Sequence, residues 1–183
     1  EGQVLFELGE LGDAKRVLER VVATDPDSGH PAYYLGLVLE RATGTSVSDF
    51  MARRLWQPLG AEADATWSLD SESSGFEKLE SGVNARPVDY ARFGLLFLHD
   101  GEWNGRRIIS EDWVRASTGA EPATDSAYYQ GYRYFWWIDV EQPGRFYALG
   151  KYGQYIYVAP DADAVVVRFG RDWGVDTVTW LAA

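Results

Sequence analysis

The stretch YYLGLVLERATG (residues 33–44) is the segment in which two different sequence patterns meet. Its apolar residues recur at the spacing of one helix face, and Gly44 supplies the glycine that commonly ends a helix. The stretch therefore predicts an amphipathic helix over residues 31–42. Its Leu-Gly pair, Leu35–Gly36, allows a second helix to pack closely. The sequence on either side of this helix decides the fold.

The bulk composition is typical of a globular protein. The 183 residues are 46% apolar and 25% charged, and 15% are aromatic, which requires a substantial core or a lined pocket. The net charge of −11 argues against nucleic acid and anionic membranes as partners, because both are bound by basic surfaces. The absence of cysteine excludes disulfides, a thiolate nucleophile and cysteine-ligated metals, and leaves the compartment undetermined.

Both chain ends interrupt predicted helices. The chain begins at Glu1 rather than at a methionine and ends at TVTWLAA. This pattern predicts that the sequence is a fragment.

The N-terminal segment has helical periodicity and a 34-residue spacing between Gly2 and Gly36. Small and apolar residues stand where a second helix would pack, and Pro26 would end that helix. Residues 1–40 resemble a tetratricopeptide repeat, whose period is 34 residues. The resemblance implies a helical hairpin over residues 1–34 and a protein partner for it; an unrelated helical hairpin is the alternative. The packing positions are Ala14, Leu18 and Val21.

The rest of the chain shows several collinear segments of a different kind. They are LGLVLERATGTSVSDFMARRLWQPLGAEADATWSLD, SGVNARPVDYARFGLLFLHDGEWNGRRIISEDWV, YRYFWWID and ALGKYGQYIYVAPDADAVVVRFG. Residues 35–183 resemble the serine hydrolases of the class C β-lactamase and penicillin-binding type, which include esterases and 6-aminohexanoate-dimer hydrolases. The resemblance implies amide or ester hydrolysis through an acyl-serine intermediate. A genuine gene fusion and an artefactual join both explain the meeting of the two patterns within one helix.

Local signals predict helices followed by antiparallel strands, an α+β class. Residues 61–85 are polar and predict an irregular loop. The aromatic run over 132–140 predicts a single strand buried on both faces, with its rings in the core or lining a pocket. The predicted helices are 2–11, 13–24, 31–42, 46–57, 87–99 and 110–118. The predicted strands are 132–140, 145–149, 153–159 and 163–169.

Two of the three motifs that the resembled family uses are missing. The first is S-x-x-K, in which a lysine helps to deprotonate the nucleophilic serine. The chain has three lysines, and none has serine three residues before it. The second is a tyrosine relay, whose position falls on Asp27. The resemblance therefore implies that the chain does not catalyse hydrolysis by itself. The three lysines are Lys15, Lys78 and Lys151.

The third motif, K-T-G, corresponds to Lys151-Tyr152-Gly153, followed by Gln154. The resemblance implies catalytic roles for Lys151, as a fixed positive charge, and for the Gln154 N–H, as an oxyanion-hole donor. It implies that Tyr152 and Gly153 bind substrate. Tyrosine in the threonine slot departs from the penicillin-type pattern and favours an esterase or amidase. The alternative is that Lys151 is simply a solvated residue at the beginning of a strand.

We expect structural rather than catalytic roles for the remaining candidate residues. A Ser-His-Asp triad would need a histidine beside an activated serine, and the sequence has no G-x-S-x-G elbow. His30 precedes a proline near a helix start and His99 ends a helix, so we expect both to be surface or capping residues. Asp161 and Asp163 lie in a predicted hairpin turn. No metal-binding or cofactor-binding motif occurs, so we expect no cofactor and no metal.

Three functions remain after this reading. The first is a hydrolase of the resembled family that takes a small amide or ester but lacks its nucleophile. The second is a tetratricopeptide-type interaction scaffold with a degenerate hydrolase tail. The third is a pseudoenzyme that binds ligand without turnover.

Overall fold

The computed structural model describes residues 12–13, 15–16, 18–19, 29–119 and 131–172. Over these ranges it shows an antiparallel sheet of five strands with helices packed on one face. The predicted α+β class of helices plus antiparallel sheet is confirmed. Among the described residues, no helix is long and apolar enough to span a bilayer.

The two helices within residues 29–56 lie where the sequence predicts them. Helix α1 spans Gly29–Thr43, and Gly44 follows it with a positive φ of 69°. Helix α2 spans Val47–Met51 and continues as a π-helical turn over Ala52–Trp56. The Ser46 side chain caps α2 by accepting the Asp49 N–H at 3.1 Å, as expected of an N-cap serine.

The next two helices also confirm the sequence signals. Helix α3 spans Pro87–Leu98, with proline in its first turn, where a missing N–H costs nothing. Helix α4 spans Glu111–Thr118, and the Ser110 hydroxyl accepts the Trp113 N–H at 3.2 Å. His99 caps the C-terminus of α3 through its backbone, as predicted.

The main sheet is a meander in which each strand pairs antiparallel with the next in the chain. Its long central hairpin matches Phe146 with Val158 and Gly150 with Gln154. The Pro160 turn, with Asp163 in the left-handed region, leads into the last strand, as predicted. The strands are β5 (Tyr132–Arg133), β6 (Trp136–Ile138), β7 (Phe146–Gly150), β8 (Gln154–Ala159) and β9 (Ala164–Arg168).

The core lies between this sheet and helices α3 and α4. Helix α3 crosses β8 and β9, and Gly94 makes the close approach possible. A Cβ at Gly94 would lie 2.6 Å from Val165 Cγ1 and 3.0 Å from Ile156 Cγ2. The buried cluster comprises Phe97, Val114, Trp136, Ile138, Phe146, Ile156 and Val158.

Residues 61–85 are mostly irregular, as predicted, but carry two two-residue strands, β1 (Thr66–Trp67) and β2 (Val83–Asn84), that pair with each other. The buried Glu77 accepts the Ser48 N–H at 3.0 Å and so anchors this loop to α2. A second small ribbon joins β3 (Glu102–Trp103) to β4 (Arg106–Arg107) through Asn104–Gly105.

The described part of the N-terminal segment is helical at residues 12–13, 15–16 and 18–19. Leu18 is buried against Val38 of α1. The predicted helix 2–11, and the predicted positions Gly2, Ala14, Val21 and Pro26, lie outside the described residues.

The prediction of one strand over 132–140 is wrong. The chain reverses at Tyr134–Phe135, so that Arg133 pairs with Trp136 and the run forms a β-hairpin with a two-residue loop. Tyr134 and Phe135 have positive φ values of 44° and 71°. These are close to the 49° and 72° of Asn104 and Gly105, which form the two-residue loop between β3 and β4. Asn-Gly suits this turn, whereas two aromatic residues in the left-handed region cost about 1–2 kcal/mol each. The sequence therefore lacks the signal that ordinarily reveals the turn.

Helix α3 is fastened to the loop after Gly60 by a buried carboxylate, Asp89. Its Oδ1 accepts the Glu62 N–H at 2.8 Å and an Arg92 N–H at 2.7 Å, and Arg92 also binds the Glu62 carboxylate at 2.9 Å. Burial by itself raises the pKa of Asp89, but these hydrogen bonds and the Arg92 charge outweigh it. The net result is a pKa below the usual 3.8.

The strained hairpin generates a first prediction. Phe135→Gly and Phe135→Ala both remove the ring, but only glycine relieves the positive φ. We therefore expect the glycine variant to be the more stable of the two by about 1 kcal/mol, measured by urea unfolding. Equal stability, or greater stability of the alanine variant, would contradict the strain.

The Asp89 cluster generates a second prediction, Asp89→Asn. We expect a loss of about 2 kcal/mol in unfolding free energy at pH 7, because a buried charged hydrogen-bond acceptor is removed. Since the folded pKa lies below the unfolded one, the contribution is complete above pH 3.8 and is lost as the pH falls through the folded pKa. Urea unfolding of the wild-type and Asp89→Asn chains, from pH 7 down to below pH 3.8, measures the difference in their unfolding free energies. If that difference did not decrease in acid, it would contradict a negative charge on Asp89.

Candidate active site

The sequence-predicted site residues lie together at the tip of the β7–β8 hairpin. Gly150 and Gln154 form the last pair of the ladder, and Lys151, Tyr152 and Gly153 make the turn between them. Tyr152 and Gly153 both have positive φ, 62° and 73°. The turn thus has a defined backbone shape that depends on a non-glycine residue in the left-handed region.

Lys151 and Tyr152 form an exposed cation–aromatic pair. The Lys151 Nζ lies 5.4 Å from the centroid of the Tyr152 ring, and half of the Tyr152 surface is exposed. Within the described ranges, Lys151 makes no ion pair. The tip therefore presents a positive charge and an aromatic face to solvent, on a chain whose net charge is −11.

Gly153 is buried because Arg168 of β9 occupies the space beside it. A Cβ at Gly153 would lie 2.3 Å from the Arg168 Nη1, and that same nitrogen donates a hydrogen bond to the Gly153 carbonyl. A side chain at this position thus competes with the arginine for space.

Gln154 is held through its side chain. Its Nε2 donates to the Gly170 carbonyl at 2.5 Å, and its Oε1 accepts the Gly170 N–H at 3.1 Å. The amide therefore pairs with both backbone groups of Gly170, beyond the end of β9. The role of the Gln154 N–H in an oxyanion hole stays a prediction.

Tyrosines line the sheet face opposite the helices, below the tip. Tyr147 lies opposite Tyr157 in the ladder, with ring centroids 6.2 Å apart, and 6.3 Å from the Tyr155 ring. The Tyr157 hydroxyl donates to Asp139 Oδ2 at 3.1 Å. Burial raises the pKa of both Tyr147 and Tyr157, so these hydroxyls are neutral donors at physiological pH.

Several other residues considered in the sequence form contacts away from the β7–β8 turn. Lys15 pairs with Glu19 at 3.3 Å, and the Lys78 carbonyl accepts the Trp67 indole N–H at 2.7 Å. Asp161 forms a two-bond ion pair with Arg145, at 2.7 and 2.8 Å. His30 lies in α1, and Asp27, the slot of the tyrosine relay, lies outside the described residues. Across the described residues, no group of three or more His, Asp or Glu side chains could hold a metal ion.

The sequence analysis missed Arg168 and Gly170. The only local signal was an arginine in the otherwise apolar AVVVRFG, two residues before a glycine. Alternation along β9 turns Arg168 away from Val165 and Val167, which pack on the core. Finding the contact needs the β8–β9 register, which places Arg168 opposite Tyr155.

Comparison with known families agrees with this architecture. The beta-lactamase family model matches residues 8–176. This chain belongs to the beta-lactamase family. The match includes most of the segment that resembles a tetratricopeptide repeat, and that resemblance stays a prediction.

The relatives of this beta-lactamase family chain include 6-aminohexanoate-dimer hydrolases. It is 32% identical to the 6-aminohexanoate-dimer hydrolase of Paenarthrobacter ureafaciens over 154 residues, which cover 80% of this chain and 39% of that protein. A solved structure named as a 6-aminohexanoate-dimer hydrolase from Bacillus anthracis superimposes with a TM-score of 0.73 at 28% identity, covering 82% of this chain and 39% of the other.

A more distant structure shares the fold alone. The structure named as a beta-lactamase from Bacteroides dorei DSM 17855 superimposes with a TM-score of 0.57 at 17% identity, over 75% of this chain and 48% of that chain. The chain spans 39% of the length of the two 6-aminohexanoate-dimer hydrolase relatives.

The crowding at Gly153 generates a third prediction. Gly153→Ala and Gly105→Ala share the same backbone strain, because their φ values are 73° and 72°, but a Cβ at Gly105 meets nothing within 4 Å. We expect Gly153→Ala to lose about 1 kcal/mol more unfolding free energy, because Arg168 must give up its hydrogen bond to the turn. Urea unfolding of both variants measures this difference, and equal losses would contradict it.

Proposed function

We propose that this chain carries the substrate-binding strand of a serine hydrolase that cleaves a small linear amide or ester. The site consists of Lys151, Tyr152, Gly153 and Gln154 at the β7–β8 tip. The observation that carries the proposal is the Lys151–Tyr152 pair, which is exposed and has no ion-pair partner in the described residues. Its assignment to the position of the family's K-T-G motif rests on the sequence resemblance. The beta-lactamase family match and the two 6-aminohexanoate-dimer hydrolase relatives support it.

The proposed chemistry divides between this strand and a serine. The serine oxygen attacks the carbonyl carbon of the substrate, and the carbonyl oxygen becomes an oxyanion in the tetrahedral intermediate. The N–H of Gln154 is the proposed donor to that oxyanion. The S-x-x-K lysine, which this chain lacks, takes the serine proton during the attack and returns it to the amine or alcohol that leaves when the intermediate collapses. Water then hydrolyses the acyl-serine, which releases the acid and restores the serine hydroxyl. The Lys151 ammonium supplies a fixed positive charge to an anionic substrate group or to the proton relay.

The substrate class follows from the two exposed side chains. A linear amide of an ω-amino acid, such as the 6-aminohexanoate dimer named for the relatives, has a terminal carboxylate for Lys151 and methylenes for the Tyr152 ring. The tyrosine replaces the threonine hydroxyl of the penicillin-type pattern. The proposal therefore favours linear amides and esters over β-lactams.

The chain has no S-x-x-K, and we propose that by itself it binds substrate without turning it over. A serine hydroxyl without an adjacent lysine base is a poor nucleophile at neutral pH. The expected behaviour is saturable binding of the 6-aminohexanoate dimer and no enzymatic hydrolysis.

The fourth prediction tests this proposal with one titration and one assay. We expect Lys151→Met to weaken binding of the dimer about fivefold, because an exposed charge pair contributes about 1 kcal/mol, and we expect added salt to have a similar effect. Isothermal titration calorimetry measures both. Lys78→Met removes the same charge outside the site and serves as the control.

Two outcomes would contradict the proposal. The first is dimer binding that is equal in wild type and Lys151→Met. The second is saturable hydrolysis of a p-nitrophenyl ester that a serine-directed phosphonate abolishes, because it would show that the chain supplies a nucleophile of its own.

A further inference from the structure

Two side chains, one on each face of the sheet, hold the turn that carries Lys151 and Tyr152 through hydrogen bonds. We call them the arginine brace (Arg168, bonded to Gly153) and the glutamine brace (Gln154, bonded to Gly170). Arg168 shares the tyrosine face with its ladder partner Tyr155, by alternation along β9. Gln154 shares the parity of Ile156 and Val158, whose side chains lie on the helix-covered face. Arg168 therefore contacts the turn itself, at Gly153, and the Gln154 side chain holds the residue that directly follows the turn from the opposite face of the sheet.

The arginine brace joins the turn to the chain beyond β9. The Arg168 Nη1 donates to the Gly153 carbonyl, and the guanidinium also reaches the Asp172 carbonyl at 3.4 and 3.5 Å. A planar guanidinium bridges two carbonyl groups in this way, whereas a lysine ammonium is a single point of attachment. The missing side chain of Gly153 leaves room for it.

The glutamine brace is reciprocal. Both polar atoms of the Gln154 amide are used on Gly170, so this side chain has its hydrogen-bonding groups committed to the backbone beyond β9. The backbone N–H of Gln154 is a separate group from this amide. A change of side chain at 154 thus tests the brace without removing the N–H.

We propose that Arg168 and Gln154 are positioning residues that hold Lys151 and Tyr152 in the ligand-binding conformation. This inference rests on the proposed function of the tip. The left-handed conformation of Tyr152 is unfavourable for a free turn and persists where the surroundings enforce it. With the turn already ordered, ligand binding loses less conformational entropy, which increases affinity without any new contact to the ligand.

The test, which is the fifth prediction, compares Arg168→Met, Arg168→Lys and Gln154→Met with the wild-type chain. In each chain, the ¹⁵N order parameter of the Tyr152 amide is measured without ligand, and dimer affinity is measured by calorimetry. Arg145→Met is the matched control, because it removes the same charge and an ion pair to Asp161 at the other hairpin turn.

We expect the Tyr152 order parameter to fall from about 0.85 to below about 0.6 in Arg168→Met and Gln154→Met, and to stay unchanged in Arg145→Met. Dimer affinity should fall about tenfold in the same two variants, with Arg168→Lys intermediate, because the ordering must then occur on binding. Both changes together support the positioning role.

Either of two results overturns it. One is an unchanged order parameter in both Arg168→Met and Gln154→Met; the other is a mobile turn that binds the dimer with wild-type affinity. The order parameters need no ligand. A wild-type chain that does not bind the dimer therefore contradicts the proposed function separately, while the order parameters still decide whether the braces hold the turn.

Discussion

The close approach of helix α3 to strands β8 and β9 is the contact on which the rest of the structure depends. It requires Gly94, because any side chain there would overlap Val165 and Ile156. With the helix seated, Ile156 and Val158 are buried on one face, and strand alternation then places Tyr155 and Tyr157 on the other. The pairing register of β8 with β7 and with β9 then sets the positions of the β7–β8 turn and the β8–β9 turn. The chemistry proposed for the Lys151 turn is therefore set up by a glycine in a helix more than fifty residues earlier in the chain.

Much of this fold could be predicted from local signals. Capping serines, the proline in the first turn of α3 and the glycine after α1 mark helix ends through hydrogen bonds formed within a few residues. Strands β7, β8 and β9 are predicted to within about two residues because their apolar runs are bounded by turn residues. Tyr134–Phe135 could not be predicted, because continuous aromatic residues imply a buried strand. The turn there is imposed by the pairing of Arg133 with Trp136 rather than by its own preference.

The candidate site divides in the same way. Lys151 to Gln154 were identified as candidate residues from the sequence, because they are contiguous and resemble a known motif. The groups that hold them were not, because Arg168 and Gly170 lie fifteen and sixteen residues from their partners and meet them only in one register. The buried Asp89 is a similar case. An aspartate in the first turn of a helix is usually a surface residue that favours the helix dipole, and only the fold shows that it fastens a loop.

The Arg168–Gly153 contact also constrains how sequences of this kind can diverge. The arginine occupies the volume of a side chain at 153, so a change at either position alters the energetic cost of a change at the other. A descendant that acquires a side chain at 153 has to move, shorten or lose the arginine, in addition to bearing the strain of the positive φ at 153. Loss of the arginine removes the first of these two costs. Across homologous sequences the two positions should therefore tend to vary as a pair, although they lie fifteen residues apart. Such coupled variation would record the hairpin register in the sequences themselves.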